Sequence, residues 1–390
     1  MISLFKVYMS KHANKEVGKV LDSGFIGQGP KVKEFEDELG KRFIRDHVVT
    51  VNSGTSAEHL ALRLLKSPDI NTKNFDGMAY WESNWPGIQD GDEALCTPLT
   101  CTATNFPVLA NGINIKWVDV DKKTLNMCLV DLERKLSPKT KVIYVVHWGG
   151  NPIDLDGLKR IQEKCKNLYG FKPAIIEDCA HAFGAKYKGQ PIGTHGNLCT
   201  FSFQAIKHLT SGDGGMLVTP HLELAKRAKI LRWYGIDRED NRKDFRCEAD
   251  IPEWGYKFHM NDINASIGLC NLREVDENVI KKNIDNAHFY QKELDGVNGV
   301  ELIKETPGCS YWLYTMLVDD QPGFMKMMEE KGIMVSRVHE RNDKHTCVSE
   351  YRCSLPTLDK VVNEMICIPN GWWVTKEQRE YIIDCIKQGW

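Results

Sequence analysis

Short apolar runs alternate with segments of helical periodicity from about residue 48 to residue 218. Between the runs, apolar residues at helical spacing predict helices, as at Leu155, Leu158 and Ile161. This alternation is typical of an α/β domain with a mostly parallel central sheet flanked by helices. The predicted strands are Val48–Val51, Glu93–Thr97, Ile113–Val118, Val142–Val146, Ala174–Glu177, Leu198–Phe203 and Met216–Val218.

A polar and charged stretch at residues 237–250 predicts a loop or domain boundary. We expect a large domain with an N-terminal arm over residues 1–240 and a smaller α+β domain over residues 241–390. Beyond the boundary, the pattern predicts a long helix opening at Asn261–Gly268, a strand at Tyr311–Val318, a helix at Phe324–Lys331, a strand at Ile333–Val338 and a helix from Lys376.

Composition and charge argue against a nucleic-acid-binding function. With 390 residues, 42% hydrophobic and 27% charged, the chain has the makeup of a globular protein with a sizeable core. A net charge of -2 and the lack of a basic run interleaved with aromatic residues argue against a nucleic-acid partner. The sequence therefore predicts a small-molecule ligand.

The N-terminus and the cysteines predict a cytoplasmic protein. The apolar stretch at Met1–Lys6 is too short for a signal sequence or a membrane span. The 13 cysteines are scattered through apolar segments without a CxxC pair, which fits buried thiols in a reducing compartment. We expect no membrane association and no metal site.

A long insertion at Lys66–Gly91 stands between a predicted helix and the next strand. Loops of this length are usually functional or disordered. Because the insertion carries Trp81 and Trp85, an ordered flap and plain surface packing are both compatible with it.

Lys207 follows the aromatic–serine–aromatic strand end Phe201–Phe203 and precedes a polar, glycine-rich turn. A lysine amine forms a Schiff base with a carbonyl compound when its surroundings lower its pKa. The hydroxyl of Ser202 and the glycines at Gly212–Gly215 would let a ligand approach the backbone closely. Taken alone, the segment fits a solvated surface lysine before a hairpin equally well.

Two strand ends upstream carry polar residues. Val51–Ala57 passes from a strand into small hydroxylated residues that open a helix, which is how helix N-termini hold phosphate, although an ordinary helix cap has the same pattern. Ile175–His181 is an apolar run ending in two acids. In an open parallel sheet the strand ends face the ligand crevice, so Asp178 would lie there, with Glu177 competing because only one of the two faces inward.

Two more segments complete the set of motifs: the strand end and polar helix start Thr97–Thr104, and the basic, aromatic loop Gly255–Asp262. Together the motifs resemble the DegT/DnrJ/EryC1/StrS family of sugar aminotransferases, pyridoxal-phosphate enzymes of the aspartate aminotransferase fold (fold type I). The resemblance covers nearly the whole chain. Its motifs are GQGP at Gly27–Pro30, SGTSAEHLAL at Ser53–Leu62, GDEALCTP at Gly91–Pro98, VVHWGGNPIDLDGL at Val145–Leu158, EDCAHAFGA at Glu177–Ala185 and FSFQAIKHLTSGDGG at Phe201–Gly215.

The resemblance implies a role for each matching residue. Lys207 corresponds to the catalytic lysine that binds the cofactor aldehyde, and Asp178 to the aspartate at the cofactor ring nitrogen. His181 takes the position that meets the cofactor 3-hydroxyl. The positions that match the phosphate-binding residues are Gly54, Thr55, Ser56 and Ser202.

The chain departs from the family pattern at two cofactor positions. Cys101 stands where an aromatic residue usually stacks on the cofactor ring, so stacking must be weaker or come from elsewhere. Lys257 stands where relatives often have Asn, in a loop that reaches the phosphate of the neighbouring subunit. The resemblance therefore implies a homodimer with shared active sites, in which Lys257 contacts the phosphate as a cation.

The sugar pocket is the feature that the family resemblance defines least. Val338–His345 replaces a histidine–tyrosine–proline pattern that many relatives carry in the loop shaping the sugar pocket. Near it, Arg337, His339 and Arg341 are the candidate substrate contacts.

The reaction that the resemblance implies is amino transfer from an amino acid, with L-glutamate expected, to a nucleotide-linked keto-sugar in amino-sugar biosynthesis. Pyridoxal 5'-phosphate would be the cofactor, with pyridoxamine 5'-phosphate as its intermediate form, and the kinetics would be ping-pong. Alternatives are a sugar dehydratase, a cyclitol aminotransferase and a non-catalytic regulator of the same fold. Related dehydratases have histidine in place of the lysine, and a regulator would have no chemical need of Lys207 and Asp178.

Overall fold

A computed structural model describes residues 1–43, 46–66, 87–238 and 250–390. All seven strands predicted for the first half of the chain are present, with ends that shift by at most two residues. In chain order the strands are β1 (Val48–Val51), β2 (Glu93–Cys96), β3 (Asn114–Trp117), β4 (Thr140–Val146), β5 (Ala174–Asp178), β6 (Lys186–Tyr187), β7 (Gln190–Pro191), β8 (Leu198–Ser202), β9 (Gly215–Val218), β10 (Val300–Leu302), β11 (Tyr314–Val318) and β12 (Met365–Ile368).

The central sheet has seven strands in the order β1-β9-β8-β5-β4-β2-β3. Strands β8, β5, β4, β2 and β3 are parallel, whereas β9 pairs antiparallel with both of its neighbours. The mostly parallel sheet is thus confirmed. Because β5 and β8 are parallel neighbours, with Asp178 opposite Thr200, their carboxyl ends meet at the same edge of the sheet.

Both faces of this sheet are buried, which explains why its strands are continuous apolar runs. Along β4, Val142 and Tyr144 belong to the core on one face, and Ile143 and Val145 to the core on the other. The covering helices come from the amphipathic segments between the strands. The helices are α1 (Ala13–Ser23), α2 (Pro30–Arg42), α3 (Gly54–Leu65), α4 (Thr102–Ala110), α5 (Leu129–Arg134), α6 (Leu155–Tyr169), α7 (Leu222–Leu231), α8 (Asp262–Leu272), α9 (Lys281–Leu294), α10 (Gln321–Glu330), α11 (Pro356–Glu364) and α12 (Lys376–Lys387).

A second, antiparallel sheet, β10-β11-β12, forms the smaller layer near the C-terminus. It shares a separate apolar core with α9, α10 and α12. The predicted strand at Ile333–Val338 is wrong: Ile333 forms an isolated bridge with Ile2, and Ser336 forms another with Cys367. The chain then leaves the extended conformation at Val338, where φ is 66°.

Two predictions fall on residues that the structure does not describe. Most of the insertion, including Trp81 and Trp85, lies outside the described residues, as does most of the stretch predicted to separate the two domains. The domain boundary near residue 240 therefore stays a prediction. Among the helices in the described ranges, none is long and apolar enough to cross a lipid bilayer.

One carboxylate joins the second half of the chain to the first. Asp262, the first residue of α8, is 2% exposed, and its side chain lies at the start of α2. It accepts hydrogen bonds from the backbone N–H groups of Gly29 (2.9 Å), Lys31 (3.2 Å) and Val32 (3.0 Å). The first N–H groups of a helix have no partners within the helix, so Asp262 caps α2 from a distant part of the sequence.

We expect Asp262→Ala to lower the free energy of unfolding by about 2 kcal/mol or more. The substitution leaves three backbone N–H groups without an acceptor and removes an anion from a helix N-terminus. The matched control is Asp320→Ala, which removes one exposed cap bond, to the N–H of Gly323, and should cost about 1 kcal/mol. Urea denaturation measures both. Equal losses in the two variants would contradict the structural role given to Asp262.

Candidate active site

A cavity of about 560 Å³ opens where the carboxyl ends of β5 and β8 meet the start of α3. Its volume is in the range typical of small-molecule sites. Most of the residues that the sequence singled out line it together: Gly54, Thr55, Cys101, Asp178, His181, Ser202, Lys207 and His339.

Lys207 lies in the turn after β8, where its backbone N–H donates to the carbonyl of Gln204 (2.9 Å). Its Nζ lies 3.6 Å from the ring centroid of Trp312, a cation–π contact. Burial of the amine lowers the pKa of Lys207 to about 8, and the negative charge of Asp178 limits the decrease. About one amine in ten is therefore neutral at pH 7, and this is the form that a nucleophile or a general base requires.

Asp178 ends β5 with its carboxylate fixed from two sides. Oδ1 accepts a hydrogen bond from the N–H of Ala180 (2.9 Å), and Oδ2 accepts one from the hydroxyl of Thr104 (2.7 Å). The Thr104 hydroxyl is itself hydrogen-bonded to that of Thr100 (2.8 Å). Since an ionised carboxylate offers about four lone-pair sites, Asp178 retains capacity for a donor in the cavity.

Glu177, the other acid of the motif, lies away from the cavity. It is fully buried, and its carboxylate accepts hydrogen bonds from His147 Nε2 (2.8 Å) and Asn197 Nδ2 (2.6 Å). Although burial raises it, the pKa of Glu177 ends below its usual value because of these hydrogen bonds and the charge of His147. The alternation along β5 therefore assigns the cavity to Asp178.

The start of α3 forms another wall. Ser53 caps the helix by accepting a hydrogen bond from the N–H of Ser56 (3.1 Å), and Ser56 turns its hydroxyl to Asn52 (2.6 Å) rather than to the cavity. A Cβ atom at Gly54 would lie 2.9 Å from the Cβ of Ser202, so only glycine permits this approach of helix and strand. The first turn of a helix with free N–H groups is suited to an anion.

Imidazole and indole rings stack along one side of the cavity. His181 lies on Trp312, with 4.0 Å between centroids, and the parallel ring of His339 follows at 5.4 Å. His181 Nδ1 accepts a hydrogen bond from the N–H of Gly149 (3.4 Å), which leaves Nε2 to donate to His339 Nε2 (3.4 Å). Burial lowers the pKa of both rings, that of His339 to about 3. Both imidazoles are therefore neutral.

Among the cavity residues that sequence reasoning missed, three bear on the chemistry of the site. Trp312 lies two residues before the start of β11, and Phe5, in the N-terminal segment, stacks on it with 5.3 Å between centroids. Glu58 lies on the inner face of α3. The one signal for Glu58 is a charged residue within an otherwise apolar helical pattern, whereas the aromatic residues resemble ordinary core positions. Trp312 is the cavity's large aromatic surface, and Cys101 lines the cavity as an exposed residue.

Lys257 does not line the cavity of its own chain. Its carbonyl accepts a hydrogen bond from Asn52 Nδ2 (3.3 Å), which places the loop beside the start of α3. Its Nζ lies 5.8 Å from the ring centroid of Trp233 and 5.7 Å from that of Tyr234.

The two arginines near the substrate loop lie outside the cavity lining. Arg337 donates to the carbonyl of Val362 (3.3 Å) and forms an ion pair with Glu340 (3.3 Å). Arg341 forms ion pairs with Asp343 (2.7 Å) and with Asp359. Hydrogen bonding to Asp343 is the main reason that the pKa of Arg341 is raised. Of the three candidate substrate contacts, His339 alone reaches the cavity.

Known proteins are similar to this chain in fold and in sequence. A model of the DegT/DnrJ/EryC1/StrS aminotransferase family matches residues 7–387. AtS13 from Actinomadura melliaura is 50% identical, with a TM-score of 0.92 over 100% of this chain and 99% of that chain. The sugar aminotransferase CalS13 from Micromonospora echinospora is 43% identical, with a TM-score of 0.91 over 100% of both chains.

A more distant structure, Spr1654 from Streptococcus pneumoniae in its PLP-form, is 25% identical, with a TM-score of 0.85 over 99% of this chain and 98% of that chain. These likenesses extend over almost the entire length of each protein. They confirm the predicted α/β fold of the aspartate aminotransferase type. With a family model that spans residues 7–387, the chain belongs to the DegT/DnrJ/EryC1/StrS aminotransferase family.

Proposed function

We propose that the protein uses pyridoxal 5'-phosphate to transfer an amino group from an amino acid, L-glutamate by family resemblance, to a nucleotide-linked keto-sugar. The observation that carries the proposal is the shared cavity in which the amine of Lys207 and the carboxylate of Asp178 face the start of α3. The relatives support it, since CalS13 is a sugar aminotransferase and Spr1654 has a PLP-form.

The side chains of the cavity fit this cofactor. The Lys207 amine, with its lowered pKa, suits an aldehyde, and the Asp178 carboxylate suits a protonated ring nitrogen. Gly54 and Thr55, at a helix N-terminus, with the hydroxyl of Ser202 beside them, suit a phosphate. When bound, pyridoxal phosphate supplies an electron sink for the carbanion that forms at the amino-acid α-carbon.

The protein's own residues then have distinct tasks. Lys207 would remove the proton from the α-carbon of the donor as a general base and return it, as a general acid, to the carbon that was the cofactor's aldehyde carbon. Asp178 keeps the ring nitrogen protonated through its negative charge. The neutral His181, whose Nδ1 accepts from Gly149, would donate a hydrogen bond from Nε2 at the cofactor 3-hydroxyl without adding charge. The two half-reactions use the same cavity in turn, which gives ping-pong kinetics.

We further propose a cytoplasmic homodimer whose subunits complete each other's sites. The loop of Lys257 supports this arrangement, because its amine does not reach the cavity of its own chain. Immediately before this loop, Trp254 is 60% exposed, a large aromatic surface suited to a second copy of the chain.

Lys207→Ala tests the proposed chemistry directly. We expect it to abolish the visible absorbance of the bound cofactor and to slow the glutamate half-reaction by about 10²- to 10⁴-fold, since no other lysine lines the described part of the cavity. Lys207→Arg, which keeps the charge but cannot capture an aldehyde, should fail in the same way. A Lys207→Ala protein that retains both the absorbance and the activity would contradict the proposal.

The pKa of Lys207 predicts a pH dependence for capture of the cofactor. Only the neutral amine attacks an aldehyde, and with a pKa of about 8 roughly one Lys207 in ten is neutral at pH 7. The capture rate of the cofactor-free protein should rise about tenfold per pH unit below 8 and level off above it.

Stopped-flow absorbance measures this rate, and borohydride trapping followed by peptide mass analysis confirms the modified lysine. N-acetyl-lysine amide is the control, because its rate should continue to rise toward pH 10. If the capture rate of the protein also rises steadily to pH 10, the pKa of the Lys207 amine is not lowered and the prediction is wrong.

His339→Ala tests whether His339 contacts the keto-sugar and not the amino-acid donor. Because His339 lines the cavity from the loop that departs from the family pattern, we expect its loss to raise KM for the keto-sugar about tenfold, the cost of one buried hydrogen bond. The glutamate half-reaction should stay within about twofold. The assay uses glutamate with a panel of nucleotide-linked 3-keto and 4-keto sugars, and Arg337→Ala and Arg341→Ala test the two arginines in parallel. Equal damage to both half-reactions would contradict a substrate role for any of the three.

A further inference from the structure

Glu58 is a buried acid without an evident counter-charge. It lies on the cavity side of α3 and is 3% exposed. Its Oε2 accepts no hydrogen bond from any residue in the described ranges. Its neighbours along the helix, Ala57, Leu60 and Ala61, are buried and apolar. An ionised carboxylate in such surroundings carries a large desolvation cost, whereas a protonated carboxyl group carries a small one.

The ionisable groups around Glu58 come from each neighbouring element of the sheet layer. Asp178 at the end of β5 is within side-chain hydrogen-bonding reach, Cys101 lies at the start of α4, Lys207 follows β8, and the buried hydroxyl of Tyr144 lies on β4. Burial is the main cause that raises the pKa of Glu58 well above its usual value, and the charge of Asp178 adds to it. Lys207 opposes the increase, and its effect is the smallest of those acting on Glu58.

We propose that Glu58 is a positioning residue that carries a proton at neutral pH and donates it to Asp178, so that the two carboxyl groups share one negative charge. Two carboxyl groups in contact cannot both ionise without a cation between them. The Asp178 carboxylate already accepts hydrogen bonds from Ala180 and Thr104. Glu58 provides the third donor, which leaves one of about four lone-pair sites for a ligand in the cavity.

The pair of Glu58 and Asp178 that shares one negative charge, here called the dyad, has a consequence for the cofactor. This step rests on the proposed function. A carboxylate that accepts a hydrogen bond from a neighbouring acid is a weaker base than one that does not. Asp178 therefore attracts the proton on the ring nitrogen less strongly than an isolated aspartate would. Glu58 thus tunes how readily the ring withdraws electrons, without touching the reacting carbon.

Infrared difference spectra between the cofactor-free wild type and its Glu58 variants test whether Glu58 is protonated. At pH 7.5 the wild type should show a protonated-carboxyl C=O band that shifts in D2O and is absent from Glu58→Gln and Glu58→Leu. The matched control is Glu177→Gln, which removes a fully buried but ionised carboxylate and should leave that band intact. If the wild type lacks the band, or if both Glu58 variants retain it, the dyad does not exist. The wild-type measurement stands even if a variant fails to fold.

A second readout tests the effect on the ring nitrogen. With ¹⁵N-labelled pyridoxal phosphate bound, Glu58→Leu should raise the proton affinity of the ring nitrogen by about tenfold or more, the effect of one hydrogen bond to a charged group. Glu58→Gln keeps an N–H donor for Asp178 and should stay close to the wild type. An unchanged ¹⁵N titration in Glu58→Leu would overturn the tuning role. Because the infrared band is measured without cofactor, failure of the aminotransferase proposal would leave that result unaffected.

Discussion

The two buried faces of the central sheet are the constraint on which the rest of the molecule depends. Side chains on both faces of β4 lie in apolar cores, so the ionisable groups that reach the cavity lie at or beyond the carboxyl ends of the strands. The parallel pairing of β5 with β8 brings two such ends to the same edge. Asp178 and the Lys207 turn are neighbours for this reason, although 28 residues lie between Asp178 and Lys207 in the sequence.

The buried part of the site that results contains little net charge, since the further acid on the cavity lining, Asp213, is exposed. Lys207 and Asp178 offset each other, and the imidazoles of His181 and His339 are held neutral by burial. An environment of this kind strengthens each remaining charge, because fewer water molecules and counter-charges screen it. The position of one proton therefore strongly changes the electrostatic interactions in the cavity. This applies to the proton on Glu58 as well as to that on Lys207.

How much the sequence predicts depends on the range of the interactions involved. Strand β1 was predicted to the residue, because local apolar content decides it. Periodicity alone could not decide between Glu177 and Asp178, since the answer depends on His147 and Asn197 from other elements. The predicted strand at residues 333–338 failed because its potential partners, Ile2 and Cys367, each contribute a single bridge. Trp312 could not be identified as a cavity residue because the chain returns to the site only through long-range packing.

The capping of α2 by Asp262 has a consequence for the order of events during synthesis. The two segments are 233 residues apart, so the start of α2 leaves the ribosome long before its capping group exists. At typical elongation rates this interval is on the order of 10–50 s. During that time the first turn of α2 has only water for its free N–H groups, and a helix of this length is marginal without its tertiary contacts. The start of α2 is thus made well before the group that caps it, and its capping is complete only after Asp262 has been synthesised.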